Sequence, residues 1–370
     1  MTTTFRCTRC HKTYDFCTRM WVCTCGGLFD LEGAPAFDAA QIERETWGLW
    51  RYRASLPLPP RSNPVTLGEG LTPLITVPWG NREYYCKLEF VNPTGSFKDR
   101  GASVLVTVLN AMGVRLVVED SSGNAGAALA AYAGRAGIEA HIYVPAYTSP
   151  AKTAQIEIYG ARLVRVPGPR ENAARAAQQA AAKGAYYASH YYNPLALFGM
   201  RTFAYELWEQ LEGNVPDSIV FPVGHGTLLL GTYQGFLALR EAGLIHRLPR
   251  FIGVQATACA PLYLAYHNGL SEAPAIQPGE TVAEGIRIVQ PVHGAAILRV
   301  VRETSGTFVT VDDDHILAAR RALAHMGLYI EPTSAAPFAA LSQLNSLLDK
   351  DKIIVLPLTG AGLKTRPPTE

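Results

Sequence analysis

Apolar positions along the chain switch repeatedly between two spacings. Short apolar runs predict strands over Tyr84–Phe90, Leu116–Asp120, Ala140–Pro145, Arg162–Pro167 and Tyr186–Ser189. Ala-rich or amphipathic stretches between them predict helices over 98–112, 125–136, 150–159 and 171–183. The alternation resumes with helix 195–212, strand Ser218–Val223, helix 227–242 and strand Phe251–Ala256. A less regular part, 270–306, precedes helices 313–326 and 334–348 and a closing strand, Ile353–Leu358. Strands alternating with helices predict parallel sheets covered on both faces. Two such sets predict two α/β domains with a cleft between them. Residues 34–65, with Trp47, Trp50 and Pro57-Leu-Pro-Pro60, read as a helix and an extended linker.

Composition narrows the class. A chain of 370 residues allows two or three domains. Hydrophobic residues make up 48 % and charged residues 17 %, so the chain folds rather than staying disordered. Lys and Arg number 33 against 31 Asp and Glu, a net +2. That balance supplies no basic excess for nucleic acid or a membrane surface. The start, Met-Thr-Thr-Thr-Phe-Arg-Cys, lacks the apolar stretch of a signal peptide, and no apolar run is long enough to span a membrane. The expected compartment is the cytoplasm.

Five of the seven cysteines lie in the first 25 residues. Cys7-Thr-Arg-Cys10 and Cys23-Thr-Cys25 are two tight pairs that can converge into a tetrahedral thiolate cage. Gly26 and Gly27 let the backbone fold around a metal. So short a segment needs metal energy to hold its shape. The spacing predicts zinc on Cys7, Cys10, Cys23 and Cys25, with Cys17 and His11 as substitute ligands. Otherwise this is a reduced cysteine cluster. A ribbon of this kind could also read nucleic acid, but only Arg6, Arg9, Lys12 and Arg19 lie nearby. A structural cap on the main body is the better reading.

Ligands of open parallel sheets sit at the carboxyl ends of strands, where four loops here are unusual. The first, Asn92-Pro-Thr-Gly-Ser-Phe-Lys98-Asp-Arg100, places Lys98 at a helix start. The macrodipole there disfavours an ammonium, so Lys98 is either a solvated end residue or an amine activated for a Schiff base. The second, Ser121-Ser-Gly-Asn124-Ala-Gly126, forms a cup of backbone amides for an anion such as a carboxylate, or is an ordinary strand-to-helix turn. The third, Gly224-His-Gly226-Thr-Leu-Leu-Leu-Gly231, could cradle a phosphate or pack a helix tightly on a strand. The dinucleotide fingerprint fails, because its sixth position is Leu229 and no acid follows the next strand. The P-loop fails for want of Gly-Lys-Ser/Thr, leaving a phosphate monoester. The fourth, Thr359-Gly-Ala-Gly362-Leu-Lys364, puts a neutral hydroxyl at a strand end. An activated lysine with a phosphate cradle is what pyridoxal 5'-phosphate requires.

Asn92–Arg100, Gly224–Gly231 and Leu358–Lys364 resemble segments of the threonine synthase family, within the fold-type II pyridoxal-phosphate enzymes. Thr66-Leu-Gly-Glu-Gly70-Leu-Thr-Pro73, Asn193-Pro-Leu-Ala-Leu-Phe-Gly199 and Glu331-Pro-Thr-Ser-Ala335 match in order, and the cysteine pairs resemble that family's N-terminal ribbon. The resemblance implies two doubly wound α/β domains around a cofactor cleft, tryptophan synthase β-like, preceded by a small N-terminal zinc ribbon. The expected division is 1–33 ribbon, 34–64 linker and helix, 65–97 with 195–370 the large cofactor-binding domain, and 98–194 the small α/β domain.

By the same resemblance Lys98 forms the Schiff base and then moves protons as general base and acid. Phe97 packs near the ring and Asn124 bonds the 3'-oxygen. Gly224, His225, Gly226, Thr227 and Leu228 hold the phosphate, and Thr359 faces the pyridine nitrogen. Ser121 and Ser122 hold the substrate carboxylate. Arg100, Ser149, Lys152, Asn193 and Arg201 are candidates for the leaving phosphate. The implied reaction converts O-phospho-L-homoserine and water to L-threonine and phosphate, in a homodimer acting on a small amino acid. The chain departs from the pattern at Ala125-Gly126, where the family carries a Thr-Ser pair, at Phe198 and at Ala361. Ala283-Glu-Gly-Ile286 is closer to ammonia-lyases and cysteine-forming relatives. The alternative reading is therefore a serine/threonine ammonia-lyase, or a β-replacement enzyme for O-phosphoserine or O-acetylserine.

Overall fold

The computed structural model describes residues 3–364. The outer ends of the expected first and last domains, 1–2 and 365–370, lie outside the described residues. The chain forms two units, 1–71 with 92–202 and 72–91 with 203–370. The sequence reading draws its boundaries at 97/98 and 194/195 instead, and treats the first 64 residues apart from both.

The first unit begins with a small antiparallel sheet in the order β2-β1-β3, made of β1 (Thr4–Cys7), β2 (Thr13–Tyr14) and β3 (Phe29–Glu32). Phe5 and Phe29 on this sheet join one buried cluster with Val108, Tyr132 and Ile156. Trp21 meets Tyr187 and Tyr192 edge-on, with centroids 5.2 and 4.7 Å apart. Arg19 donates to the Gly184 carbonyl at 3.1 Å. The cysteine segment is thus packed onto its unit as a cap. The expected helix in 34–65 is absent. Two 3-10 turns, Ala39–Gln41 and Leu49–Ser55, stand there, because Gly48 (φ 78°) and the prolines from Pro57 onward interrupt any longer run. Leu49, Trp50 and Leu56 bury against Val104.

The main sheet of this unit has the order β8-β7-β6-β9, all parallel. It comprises β6 (Leu116–Glu119), β7 (Glu139–Pro145), β8 (Arg162–Val166) and β9 (Tyr186–Tyr187). α1 (Lys98–Ala111) leads into β6, and the crossovers are α2 (Asn124–Ala136), α3 (Pro150–Ile158) and α4 (Arg170–Ala182), all within two residues of the predicted bounds. α5 (Pro194–Gln210) then leads into the second unit. Glu69 anchors the unit's interior. Its carboxylate accepts from Trp50 Nε1 (2.7 Å), Tyr132 Oη (2.8 Å), the Leu67 amide (2.8 Å) and Ser103 Oγ. A buried carboxylate so fully hydrogen-bonded is a stable arrangement.

The second unit holds a six-stranded sheet, β12-β11-β10-β13-β5-β4, parallel except for the β4–β5 hairpin. Its strands are β4 (Leu74–Trp79), β5 (Arg82–Lys87), β10 (Ser218–Pro222), β11 (Arg250–Ala256), β12 (Thr307–Val311) and β13 (Ile354–Pro357). Its helices are α6 (Thr227–Glu241), α7 (Pro261–His267), α8 (Gly294–Glu303), α9 (Asp313–His325) and α10 (Pro332–Leu348). The predicted strand Tyr84–Phe90 starts earlier and stops at Lys87. Glu89–Val91 is a 3-10 turn held by the Phe90 amide on the Leu358 carbonyl (2.9 Å). Lys87 and Glu206 form a fully buried ion pair at 2.7 Å. Among the described residues no helix is long and apolar enough to cross a membrane.

Candidate functional site

The lysine loop belongs to the first unit. Gly95 (φ 80°) turns the chain, and α1 starts at Lys98 with Phe97 as a cap that offers no side-chain acceptor. Asp99 braces the turn instead, accepting from the Thr94 amide at 2.7 Å and from Thr94 Oγ1. Lys98 is half-buried, with Nζ 4.5 Å from the centre of the Phe97 ring. Arg100 is fully buried and donates to Thr202 Oγ1 at 3.0 Å. A Cβ on Gly101 would lie 2.9 Å from the Ala196 carbonyl, so α1 and α5 meet backbone to backbone here. Arg201 lies over the Phe198 ring at 3.5 Å.

The second loop joins β6 to α2. Ser121, Ser122 and Asn124 are half-buried around Gly123, which caps α2 without a side-chain acceptor. Gly126 cannot be replaced cheaply, because any Cβ there would overlap the Ser121 carbonyl. That contact explains why no hydroxyl residue stands at this position of this chain. Ser149 caps α3 without a side-chain bond, and Lys152 is exposed in the first turn of α3. Asn193 is engaged at both ends. It donates to Tyr186 Oη at 2.9 Å and accepts from the Leu195 amide at 3.0 Å, which seats the start of α5.

The glycine loop belongs to the second unit and follows β10. Gly226 takes the left-handed conformation (φ 70°) and caps α6 without a side chain. A Cβ on Gly224 would lie 2.8 Å from the Gly285 carbonyl, and one on Gly226 would overlap Ile297 Cδ1. His225 is half-buried, whereas Thr227 and Leu228 are buried. An uncapped helix start reached by a turn with glycine on both sides of His225 suits an anion. Thr359, in the same unit, is buried at the end of β13, with Oγ1 2.8 Å from Ser334 Oγ. The Gly360 amide donates to the same Ser334 oxygen at 2.8 Å.

The four cysteine sulfurs predicted as ligands lie within 4.8 Å of one another. Cys7 and Cys25 are 3.5 Å apart, as are Cys10 and Cys23. The Arg9 and Cys10 amides point at Cys7 Sγ (3.3 and 3.4 Å) and Tyr14 Oη lies 3.0 Å from Cys23 Sγ. A Cβ on Gly27 would stand 2.5 Å from Cys7 Sγ, so this glycine is required for the sulfurs to gather. Cys17 and His11 are not members of the cluster.

Sequence reasoning missed three polar residues. Ser334 lay inside a recognised segment without a role. Glu119 and His190 both line a small cavity in the first unit beside Lys98. The usable signal for Glu119 was an acid closing an otherwise apolar run, Leu116-Val-Val-Glu119, at the strand end where ligands collect.

A family model described as pyridoxal-phosphate dependent enzyme matches residues 65–360. A threonine synthase from Methanocaldococcus jannaschii is 35 % identical, covering 97 % of this chain and 92 % of its own. A threonine synthase from Methanosarcina acetivorans is also 35 % identical, covering 97 % and 91 %. Among solved structures, the serine racemase from Dictyostelium discoideum superposes with a TM-score of 0.66 at 26 % identity, over 79 % of this chain and 92 % of that one.

Proposed function

The chain belongs to the family of pyridoxal-phosphate-dependent enzymes, and from that premise we propose that it is a threonine synthase, converting O-phospho-L-homoserine and water to L-threonine and phosphate. The observation that carries this reading is the reach of the likeness. It runs through the cysteine segment as well as the body, over 97 % of the chain.

The residues present fit the cofactor. Gly224 and Gly226 are held to glycine by close contact with Gly285 and Ile297, and the turn they make leads into a helix with no side-chain cap, so its first amides are left for an anion. Gly224, His225, Gly226, Thr227 and Leu228 would hold the phosphate group, and Thr359 the ring nitrogen. Lys98, Phe97 and Asn124 would hold the aldehyde end. When bound, pyridoxal phosphate supplies an aldehyde for amines and a ring that stores the electron pair of a substrate carbanion. Lys98 takes the proton from the substrate α-carbon and carries it along the chain. Thr359 presents a hydroxyl rather than a carboxylate, so no fixed negative charge holds a proton on the ring nitrogen. That choice suits elimination and replacement over transamination. Ser121, Ser122 and the amides opening α2 bind the substrate carboxylate. Ser149 and Lys152, at the start of α3, meet the leaving phosphate. Asn193 belongs with them only through the α5 start that it seats.

The cysteine cluster fits a structural zinc. A tetrahedral thiolate site with bonds of ~2.3 Å separates its sulfurs by roughly 3.8 Å. The observed 3.5 Å pairs and 4.8 Å limit bracket that spacing. We expect a cytoplasmic homodimer.

The deciding experiment incubates cofactor-loaded protein with O-phosphohomoserine and measures phosphate and threonine together. Equal amounts are expected. The tight Gly126 turn favours a second reading, since it leaves no hydroxyl beside Asn124 for a phosphorylated substrate. Keto acid released from serine or threonine, with no phosphate from O-phosphohomoserine, would establish an ammonia-lyase instead.

A further inference from the structure

Beside Lys98 the first unit holds a small cavity walled by α1, α2 and α5. Its lining is Gly, Ala, Leu and Met except for three groups: Lys98, Glu119 and His190. Glu119 is the last residue of β6, and its side chain is 1 % exposed. One oxygen, Oε1, is bound by His190 Nδ1 at 2.5 Å and by the His190 amide at 3.5 Å. Its other oxygen takes no hydrogen bond among the described residues. A carboxyl placed at a strand end and half-satisfied in an apolar cavity is a strong candidate for a reacting group.

The neighbours hold this arrangement rigidly. Asp120 accepts from Tyr187 Oη at 2.6 Å and from Tyr191 Oη at 3.2 Å. The Tyr191 ring meets the His190 imidazole edge-on at 5.0 Å, which fixes the imidazole against Glu119.

We infer that Glu119, oriented by His190, is the proton acceptor for the water that the reaction adds. The inference rests on the threonine synthase reading. One O–H bond of water breaks as its oxygen bonds to the substrate β-carbon, and the proton passes to the free oxygen of Glu119. The phosphate expelled earlier departs one proton short, so it is the final acceptor. Lys98, already occupied with protons from the substrate carbons, is spared this step. Glu119 is the catalytic residue here and His190 the positioning residue.

The electrostatics suit the role. Burial, then the charge of Asp120 beside it, pushes the Glu119 carboxyl up to about 8. The His190 amide, Lys98 on α1 and Arg170 at the start of α4 pull the other way. A group poised near neutral pH can both take and return a proton. The carboxylate is the accepting form, so turnover should rise with pH through this region.

The test uses Glu119→Gln in the full chain, loaded with pyridoxal phosphate. Threonine formation should fall by ~10²–10⁴-fold, the usual worth of a general base. Exchange of the substrate α-hydrogen in D2O, which Lys98 performs, should stay within a few fold. His190→Gln should keep partial activity and move the pH midpoint upward. Unchanged threonine formation in Glu119→Gln would overturn the inference, as would exchange and threonine formation lost in parallel. If the unsubstituted protein itself makes no threonine, the threonine synthase reading fails separately. A cofactor-free measurement stands beside these. Glu119 binds its proton more tightly folded than unfolded, so its ionisation costs stability as pH rises from 4.5 toward 8. Glu119→Gln should therefore raise the melting temperature more at pH 9 than at pH 5. Equal shifts at both pH values would sink the proposed poise, and with it the inference, whatever the substrate.

Discussion

The two strand-to-helix turns at 121–126 and 224–231 use one device in opposite ways. Both open a helix with a glycine cap and no side-chain acceptor. In the first unit the turn follows two buried acids, Glu119 and Asp120, and shares its unit with Lys98. In the second unit the turn follows Phe221, Pro222 and Val223, with no charge at the strand end. One turn therefore sits among titratable groups. The other has no acid at its strand end and carries one imidazole, His225, between its two glycines. Binding of an anion needs only the fixed amides of the second kind. Proton transfer needs groups of tunable charge, which the first kind assembles.

The sharpest way to break this division is Lys98→Ala. It should abolish the absorbance of lysine-bound cofactor and reduce turnover by ~10⁴-fold, the upper end for an acid–base group. Retained absorbance would remove Lys98 from the reaction. Next come the paired glycines. Gly126→Ala forces a Cβ into the Ser121 carbonyl and should destabilise the protein by about 3 kcal/mol, since backbone cannot yield as a side chain does. Gly226→Ala meets the Ile297 side chain, which can shift where backbone cannot, but carries the left-handed penalty of about 1–2 kcal/mol. Its expected reading is cofactor affinity lowered by about 10-fold, by absorbance titration. If both variants changed only stability, the second turn would not be a binding device.

Reading the molecule from sequence succeeded where neighbours in the chain decide the structure. The helices α1 to α4 and the strands β6 to β8 have strong local periodicity. The misses share a different cause. β4 has one fully buried position and a proline, Pro78, so its pattern is weak until β5 pairs with it. β12 lies at a sheet edge with a mixed burial pattern, and α8 falls in the stretch read as irregular. The helix starts at Lys98 and after the Gly224–Gly226 turn were legible because each is a local motif. The Glu119–His190 pair was not, because 71 residues separate its members. Only the parallel register of β6 with β9, Val118 opposite Tyr187, brings their strand ends together. The contact of Ser334 with Thr359, 25 residues away, escaped for the same reason.

Two smaller effects sharpen the comparison. Stripping metal with a chelator should lower the melting temperature and loosen Trp21 from Tyr187, seen as altered tryptophan fluorescence. Since Tyr187 binds Asp120, beside Glu119, metal loss should disturb the pH dependence of turnover more than cofactor affinity. A protein with no bound zinc before chelation would refute the structural site. Ser334→Ala should have the mildest result. It leaves the buried Gly360 amide without an acceptor, worth about 1–3 kcal/mol, and lets Thr359 rotate. A small change in the cofactor absorbance maximum, with turnover largely kept, is expected.

The pairing of β5 with β13 also sets a clock for synthesis. Val355 lies opposite Tyr85, and Pro357 opposite Lys87. The first unit's own residues end at 202, so all of it is synthesised well before β13. The β4–β5 hairpin, made before most of that unit, must wait for β13. At ~5–20 residues per second, that delay is roughly ten to fifty seconds. Throughout it, one edge of β5 offers unpaired backbone to any passing strand. The hairpin at 74–87 is therefore where a chaperone is most needed, and where a stalled or truncated chain would first aggregate.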